Sequence, residues 1–280
     1  MRGLGKTFIS AGILIFLFVA YQLWGTNIAE SRDQNALQKQ FSQVLAPPAA
    51  AAEAPTVTAA PTLGDAAALI EIPKIGVEKY VVEGVGTEDL KKGPGHYPDT
   101  PMPGEPGNAA IAGHRTTYGA PFSDLDNLAA GDVIFVTTPA GKFRYDFESS
   151  TIVDPSESSV LDNTDDNRLT LTTCHPRYSA AQRLIVVAKL GSQVVEPPPP
   201  PAADAEPPPP MQVSAGLSGA DASRGPAIAW GALAALIWGL AWWIGHWWKR
   251  WPAYLLGTPV FLVALFVFFE NFARLLPANL

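Results

Sequence analysis

Cysteine is nearly absent from this chain: Cys174 is the single one among 280 residues. A lone thiol excludes an intrachain disulfide framework and any multi-thiolate metal centre. Charge is scarce as well. Asp, Glu, Lys and Arg make up 16% of the residues, where soluble domains carry about a quarter. Part of the chain is therefore built for a solvent other than water. Basic residues are the scarcer sign, 19 Lys and Arg against 26 Asp and Glu, for a formal charge of −7. The basic stripe of a nucleic-acid binder is missing, and no nucleic-acid partner is expected. Histidine occupies four positions, so few imidazoles are available for proton transfer.

What is abundant is aromatic and apolar surface at the two ends. All eight tryptophans lie in or beside three apolar stretches, and Trp favours the membrane–water interface. Residues 8–24 carry no charge and follow Arg2 and Lys6, which suits a short transmembrane anchor. A cleaved signal peptide is the rival. Ile28-Ala29 is a poor cleavage site, however, and Tyr21 to Trp24 reads as an interface anchor. Residues 227–248 form a second apolar run, broken only by His246, and 253–270 a third with Pro259 inside it. Their lack of a polar face argues against a buried helical hairpin. Lys249 and Arg250 lie between the two runs. Positive residues in short loops mark the cytoplasmic side. The expected topology puts residues 1–7 in the cytoplasm, the long middle region outside, the 249–250 turn inside, and the 271–280 tail outside.

Two proline- and alanine-rich tracts frame the middle region. The segment 25–65 reads as an Ala/Pro-rich linker, with its low-complexity part at 46–60. The segment 194–225 reads as a Pro-rich stalk, including EPPPPPAADAEPPPP at 196–210. Such sequence favours extended polyproline II at about 3.1 Å per residue. Between them, 66–193 has the size of one domain. Short strands are predicted at 69–75, 80–82, 109–112, 132–137, 143–147, 168–174 and 183–190, separated by Gly/Pro turns. The predicted class is all-β, a sandwich or closed barrel. A short helical turn is predicted at 122–128, with Ser123 as its cap.

The residue to explain is Cys174. In the strand RLTLTTC, Leu169, Leu171 and Thr173 share one face, and Thr170, Thr172 and Cys174 the other. Pro176 then stops the ladder. A thiol at a strand end, beside a loop, is placed for attack rather than for packing. A nucleophilic thiol needs a proton-handling group and an oxyanion partner. His246 lies in an apolar run, His175 points away if the strand continues, and His96 sits in a Gly/Pro-rich loop. His114, directly after the apolar strand 109–112, is the best candidate. Arg183 opens the strand after Cys174, and an eight-residue turn lets it fold back beside the thiol with donors suited to an oxyanion.

These residues sit in motifs. Thr170-Leu-Thr-Thr-Cys174-His-Pro176 followed by Gln182-Arg183-Leu184-Ile185-Val186, together with Ala112-Gly113-His114-Arg115, resembles the signature of the sortases, cell-surface cysteine transpeptidases of Gram-positive bacteria. Gly93-Pro-Gly-His96-Tyr97 and Pro103-Gly-Glu-Pro-Gly107-Asn108 are most similar to class E, found in high-GC, actinobacterial species. The resemblance covers about 66–193 and implies an eight-stranded β-barrel with short helical turns. It implies catalytic roles for His114, Cys174 and Arg183, and a substrate-side role for Thr173. The implied reaction cleaves a Thr-Gly bond in a C-terminal sorting signal of a surface protein, through a Cys174 thioester. An amine of a peptidoglycan precursor or a pilin lysine then takes the acyl group. Class E implies a signal near Leu-Ala-x-Thr-Gly, with Tyr118 matching the tyrosine tied to that preference. No cofactor or metal is implied.

The C-terminal pair of apolar runs and the long stalk depart from the usual sortase pattern, which has one membrane segment. The main alternative function is a non-catalytic peptide-binding or scaffolding barrel. A cross-link transpeptidase of another family is disfavoured because His175-Pro176 follow the cysteine, where that family places arginine. A zinc site from Cys174, His114 and His96 is a weak option. The acidic run 162–167 lacks the Gly and closing Glu of a calcium loop and reads as a solvated turn.

Overall fold

The computed structural model describes residues 2–45, 61–194, 224–247 and 250–273. The chain divides into two compact units, one built from the apolar runs and one around the barrel. The Pro-rich tract at 196–210, the 46–60 tract, Lys249 and the tail beyond 273 lie outside the described residues.

In the barrel unit, β1 (Ala66–Ile72), β2 (Val77–Glu83), β3 (Gly95–His96), β4 (Asn108–Ala112), β5 (Val133–Thr138), β6 (Gly141–Val153), β7 (Arg168–His175) and β8 (Gln182–Val194) close in the order β1-β2-β3-β4-β7-β8-β6-β5. Closure removes the sheet edges that an open sheet must protect. Alternate residues of the longer strands fill the interior: Ile70 and Ile72, Val81, Ile111, Ile134 and Val136, Phe143 and Tyr145, Leu169 and Leu171, Val186 and Ala188. In β7 this period-2 pattern is written in the sequence itself, whereas β4 and β5 read as short apolar runs between turns. The two-residue β3 carries no such pattern, and its Gly/Pro-rich sequence is that of a loop. The turn near 125 is a 3-10 turn, Leu125–Asn127, without a side-chain cap. Ser123, expected to cap it, instead donates its hydroxyl to Asp124 at 2.6 Å. Asp124 accepts this bond and one from Arg177, which hold its carboxyl below the usual range.

The larger correction concerns 25–65. Residues Thr26–Leu45 form a helix of 20 residues, labelled α2 after α1 (Arg2–Ala20) and before the short α3 (Thr87–Leu90). Its buried face reads Thr26, Glu30, Leu37 and Phe41, one stripe at helical spacing. Leu37 and Phe41 pack with Ala66 and Val82. Strand β2 meets β3 only at Val82 and Glu83, which leaves the backbone of Tyr80 beyond that pairing. Gln34 serves it: its amide donates to the Tyr80 carbonyl at 2.9 Å and its oxygen accepts from the Tyr80 N–H at 2.8 Å. Most of the helix's anchoring positions are polar, so no apolar period marks it within the Ala/Pro-rich composition of 25–65.

In the other unit, α1, α4 (Gly225–Trp247) and α5 (Arg250–Ala273) are each long and apolar enough to cross a membrane. A π-helical turn, Tyr21–Gly25, follows α1. On α4 the buried positions are Ala227, Ala234, Ala241 and Gly245. The first three recur at every seventh residue, giving a seam of small side chains where backbones approach closely. A Cβ on Gly257 of α5 would lie 2.8 Å from the Ala241 Cβ. Tyr21 and Phe18 pack on Phe269 of α5. Leu236, Trp242, Trp247 and Leu256 face outward, as helices apolar all round do in lipid.

Candidate active site

The candidate site is built by register. Strands β4 and β7 run parallel, with Ala112 opposite Thr172. One residue on, the Gly113 N–H donates to the Thr172 carbonyl at 3.0 Å. The Thr173 hydroxyl donates back to the Gly113 carbonyl at 2.8 Å. His114 is the next residue of that chain and Cys174 the next of β7. On the far side, β8 pairs antiparallel with β7, and Cys174 lies opposite Arg183. Three adjacent strand ends thus bring His114, Cys174 and Arg183 into one row. All three are buried. The ladder stops at His175 opposite Gln182, just before Pro176.

Side-chain alternation on β7 is as expected. Leu169 and Leu171 enter the barrel core, while Cys174 joins an outer cluster with Leu90, Tyr97, Ala110, Ala112 and Leu161. The thiol is less open than a strand-end position suggests. Cys174 is 2% exposed because the segments carrying Leu90, Leu161 and Ala180 fold over this face.

Polar contacts surround the row. The Arg183 guanidinium donates to the Ala180 and Gln182 carbonyls at 3.0 and 3.1 Å, which turns it back over the β7–β8 loop. The Tyr97 hydroxyl lies 3.2 Å from the Thr172 hydroxyl. Burial pushes the Tyr97 phenol up to about 12, against smaller downward pulls from the Thr172 hydrogen bond and the Arg183 charge. The Tyr118 ring lies 5.0 Å from the His114 ring, tilted by 35°. Thr117 Oγ1 lies 3.4 Å from His114 Nδ1.

His96 and His175 are taken up by other contacts. The His96 ring sits between Glu83, at 2.9 Å, and the Pro101 carbonyl, at 3.0 Å. Among the described residues there is no group of three or more His, Cys, Asp or Glu side chains able to hold a metal. In the acidic run, Arg168 pairs with Asp166 and holds its carboxyl down at about 2, and Asn163 accepts from the Asn108 N–H at 3.1 Å.

Sequence reasoning missed Arg115. Its guanidinium is 2% exposed and donates to the Cys174 carbonyl at 3.0 Å, meets His175 Nδ1 at 3.1 Å, and pairs with Asp126 at 2.7 Å. A buried arginine gripping the backbone of the nucleophile candidate fixes the end of β7. The one signal available was its position next to His114. A nearby pocket of about 260 Å³ is lined by Tyr97, Thr100, Leu161 and Asn163 among others.

Comparison with known proteins gives a consistent outcome. The family model described as the Sortase domain matches residues 70–191. Sortase SrtE1 of Streptomyces coelicolor is 35% identical over 209 residues, covering 68% of this chain and 56% of that protein. Sortase D of Bacillus subtilis is 37% identical over 133 residues, 46% of this chain and 66% of that protein. The chain therefore spans less than two thirds of either curated relative. Among solved structures, sortase E from Streptomyces avermitilis is 40% identical and matches 47% of this chain and 91% of that one, with a TM-score of 0.44.

Proposed function

The chain belongs to the sortase family, and on that premise we propose that it is a membrane-tethered cysteine transpeptidase of class E type. The observation that supports this reading best is the row of strand ends carrying His114, Cys174 and Arg183. A sorting signal near Leu-Ala-x-Thr-Gly lies along the outer face of β4 and β7, with Tyr118 on the substrate side; Thr173, expected to face the substrate, shares the face of Leu169 and Leu171 and instead braces the Gly113 carbonyl beside the nucleophile. The Cys174 thiolate attacks the Thr carbonyl carbon. The carbonyl oxygen takes up the electron pair, and Arg183 stabilises the resulting oxyanion. Collapse expels the glycine amine, which takes a proton from the His114 imidazolium, leaving a Cys174 thioester. An amine from a wall precursor or a pilin lysine then attacks the thioester. It gives its proton to His114 and regenerates the thiolate as the new amide forms.

The positive flanks Arg2, Lys6 and the 249–250 pair support a cytoplasmic N-terminus and a barrel outside the cell membrane. The domain bounds we assign are 66–193 for the catalytic barrel and 8–24, 227–248 and 253–270 for the spans.

The test uses the full chain in detergent micelles with an LAxTG peptide and an amine donor, read by mass. The expected result is an exchanged product and a thioester on Cys174, both lost in Cys174→Ala. Peptide binding with no acyl adduct on the wild-type chain would instead make the barrel a binding scaffold.

A further inference from the structure

The loop that follows His114 has an unusual backbone. Tyr118, Gly119 and Ala120 all have positive φ, at 51°, 75° and 42°. Two of the three carry side chains, which disfavour this region. Such a turn persists only where its surroundings hold it. Part of the support is internal: the Ala120 N–H donates to the Thr117 carbonyl at 2.9 Å and the Phe122 N–H to the His114 carbonyl at 3.1 Å. The remainder comes from α2, more than ninety positions earlier in the chain. The Tyr118 N–H, in a buried contact, donates to Thr26 Oγ1 at 3.2 Å, and the Gly119 N–H donates to Asn27 Oδ1 at 2.9 Å.

Beneath the turn lies Glu30, 1% exposed and paired with Lys79 at 2.5 Å. A Cβ on Gly119 would come within 2.7 Å of the Glu30 carboxylate carbon. The loop thus rests directly on the first turns of the helix, and glycine is required there by both φ and space. Thr26, Asn27 and Glu30 fall at helical positions i, i+1 and i+4, close enough to serve one contact. On the opposite side of the same loop, the Tyr118 ring covers the His114 imidazole.

We infer that α2 is a positioning element of the site, in which Thr26 and Asn27 hold the Tyr118–Gly119 backbone and thereby set the Tyr118 ring against His114. The inference deepens the acyl-transfer reading and rests on it for its catalytic consequence. A buried backbone N–H needs a partner. Removing the Thr26 hydroxyl leaves the Tyr118 N–H without that acceptor, and the strained turn relaxes toward negative φ. The ring then leaves the imidazole. The segment that composition marks as linker is in this sense part of the active site.

The test uses the full chain in micelles with four variants: Thr26→Val, Thr26→Ser, Asn27→Ala, and the Val/Ala double. Two readouts are taken. One is kcat and KM for transfer of the LAxTG peptide. The other is the His114 imidazole resonance in histidine-labelled protein, identified by its loss in His114→Gln. The expected result for the double variant is a kcat lower by roughly ten- to a hundredfold with little change in KM, since misplacing a reacting group by about 1 Å costs that order. The His114 resonance shifts as the Tyr118 ring current is withdrawn, and Thr26→Ser restores both. Asn27 is exposed, so Asn27→Ala reports on a folded barrel even if Thr26→Val does not fold. An unmoved His114 resonance in Asn27→Ala and the double variant, or equal losses in Thr26→Ser and Thr26→Val, overturns the inference. A wild-type chain that transfers nothing overturns the acyl-transfer reading alone, because the resonance still decides whether α2 positions His114.

Discussion

The two faces of β7 are nearly equal in burial and opposite in chemistry. Facing inward, Leu169 and Leu171 are fully buried among the side chains of the closed barrel. Facing outward, Thr170, Thr172 and Cys174 are 1 to 2% exposed. What distinguishes the faces is how each group is satisfied. At Leu169 and Leu171 the inner face needs only shape and apolar area, and its one hydroxyl, Thr173 at the strand end, is taken up by the Gly113 carbonyl. On the outer face, Thr170 donates to Asn108 Oδ1 at 2.6 Å and Thr172 meets Tyr97 at 3.2 Å. Burial alone therefore does not separate core from site. The polar accounting does, because an unmatched buried polar group costs about 1–3 kcal/mol. One strand can supply stability from one side and chemistry from the other.

That contrast can be broken most sharply at the thiol. Cys174→Ala removes one sulfur from a small outer cluster, so transfer should fall by at least about a thousandfold while the melting transition stays in place. Parallel mass and calorimetric measurements check the pair. A collapse of the fold would make Cys174 a core residue after all. Arg183→Ala should cost transfer roughly a hundred- to a thousandfold, the scale of a lost oxyanion donor. Arg183→Lys should not restore it, since one ammonium cannot reproduce the guanidinium fork that also binds the Ala180 and Gln182 carbonyls. Full rescue by lysine would mean that charge alone matters.

The inner face predicts the reverse. Leu171→Ala should destabilise the barrel by about 2–5 kcal/mol, with kcat per folded molecule close to wild type. Urea unfolding and active-site titration of the thiol separate the two quantities. The smallest effect is alkaline. The Tyr97 phenol is raised from its ordinary 10 to about 12, so the folded state holds its proton where the unfolded state releases it. Stability is complete below pH 10 and declines as pH rises toward 12. Tyr145, also raised to about 12 by burial, acts in the same sense. Tyr97→Phe should therefore make the alkaline loss shallower without abolishing it. An unchanged slope would show that the Tyr97 phenol ionises as freely in the fold as outside it.

Legibility followed the same division. Strand β7 was visible because apolar and polar residues alternate at period two in RLTLT, and β4 and β5 because short apolar runs stand between Gly/Pro turns. The three apolar spans were visible as continuous runs of apolar residues. His114, Cys174 and Arg183 were singled out by residue type at predicted strand ends, and the register then set them in one row. The two-residue β3, the Ser123–Asp124 bond that takes the place of the expected cap, and the helix α2 were not readable. In each, side-chain-to-backbone or side-chain-to-side-chain bonds outweigh apolar pattern. Gln34 completing the Tyr80 backbone and Thr26 receiving the Tyr118 N–H leave no trace in neighbouring residues.

The amino-acid order by itself determined the apolar spans, most of the barrel strands and which three side chains are the candidates for the site, because local sequence pattern and residue chemistry are properties of short stretches. Only the tertiary structure decided that Arg115 grips the carbonyl of Cys174 and that the helix at 26–45 underlies the histidine loop. Those contacts join residues far apart in the chain. A hydrogen bond between distant partners is specified by where the closed barrel brings them, not by any pattern either partner carries alone.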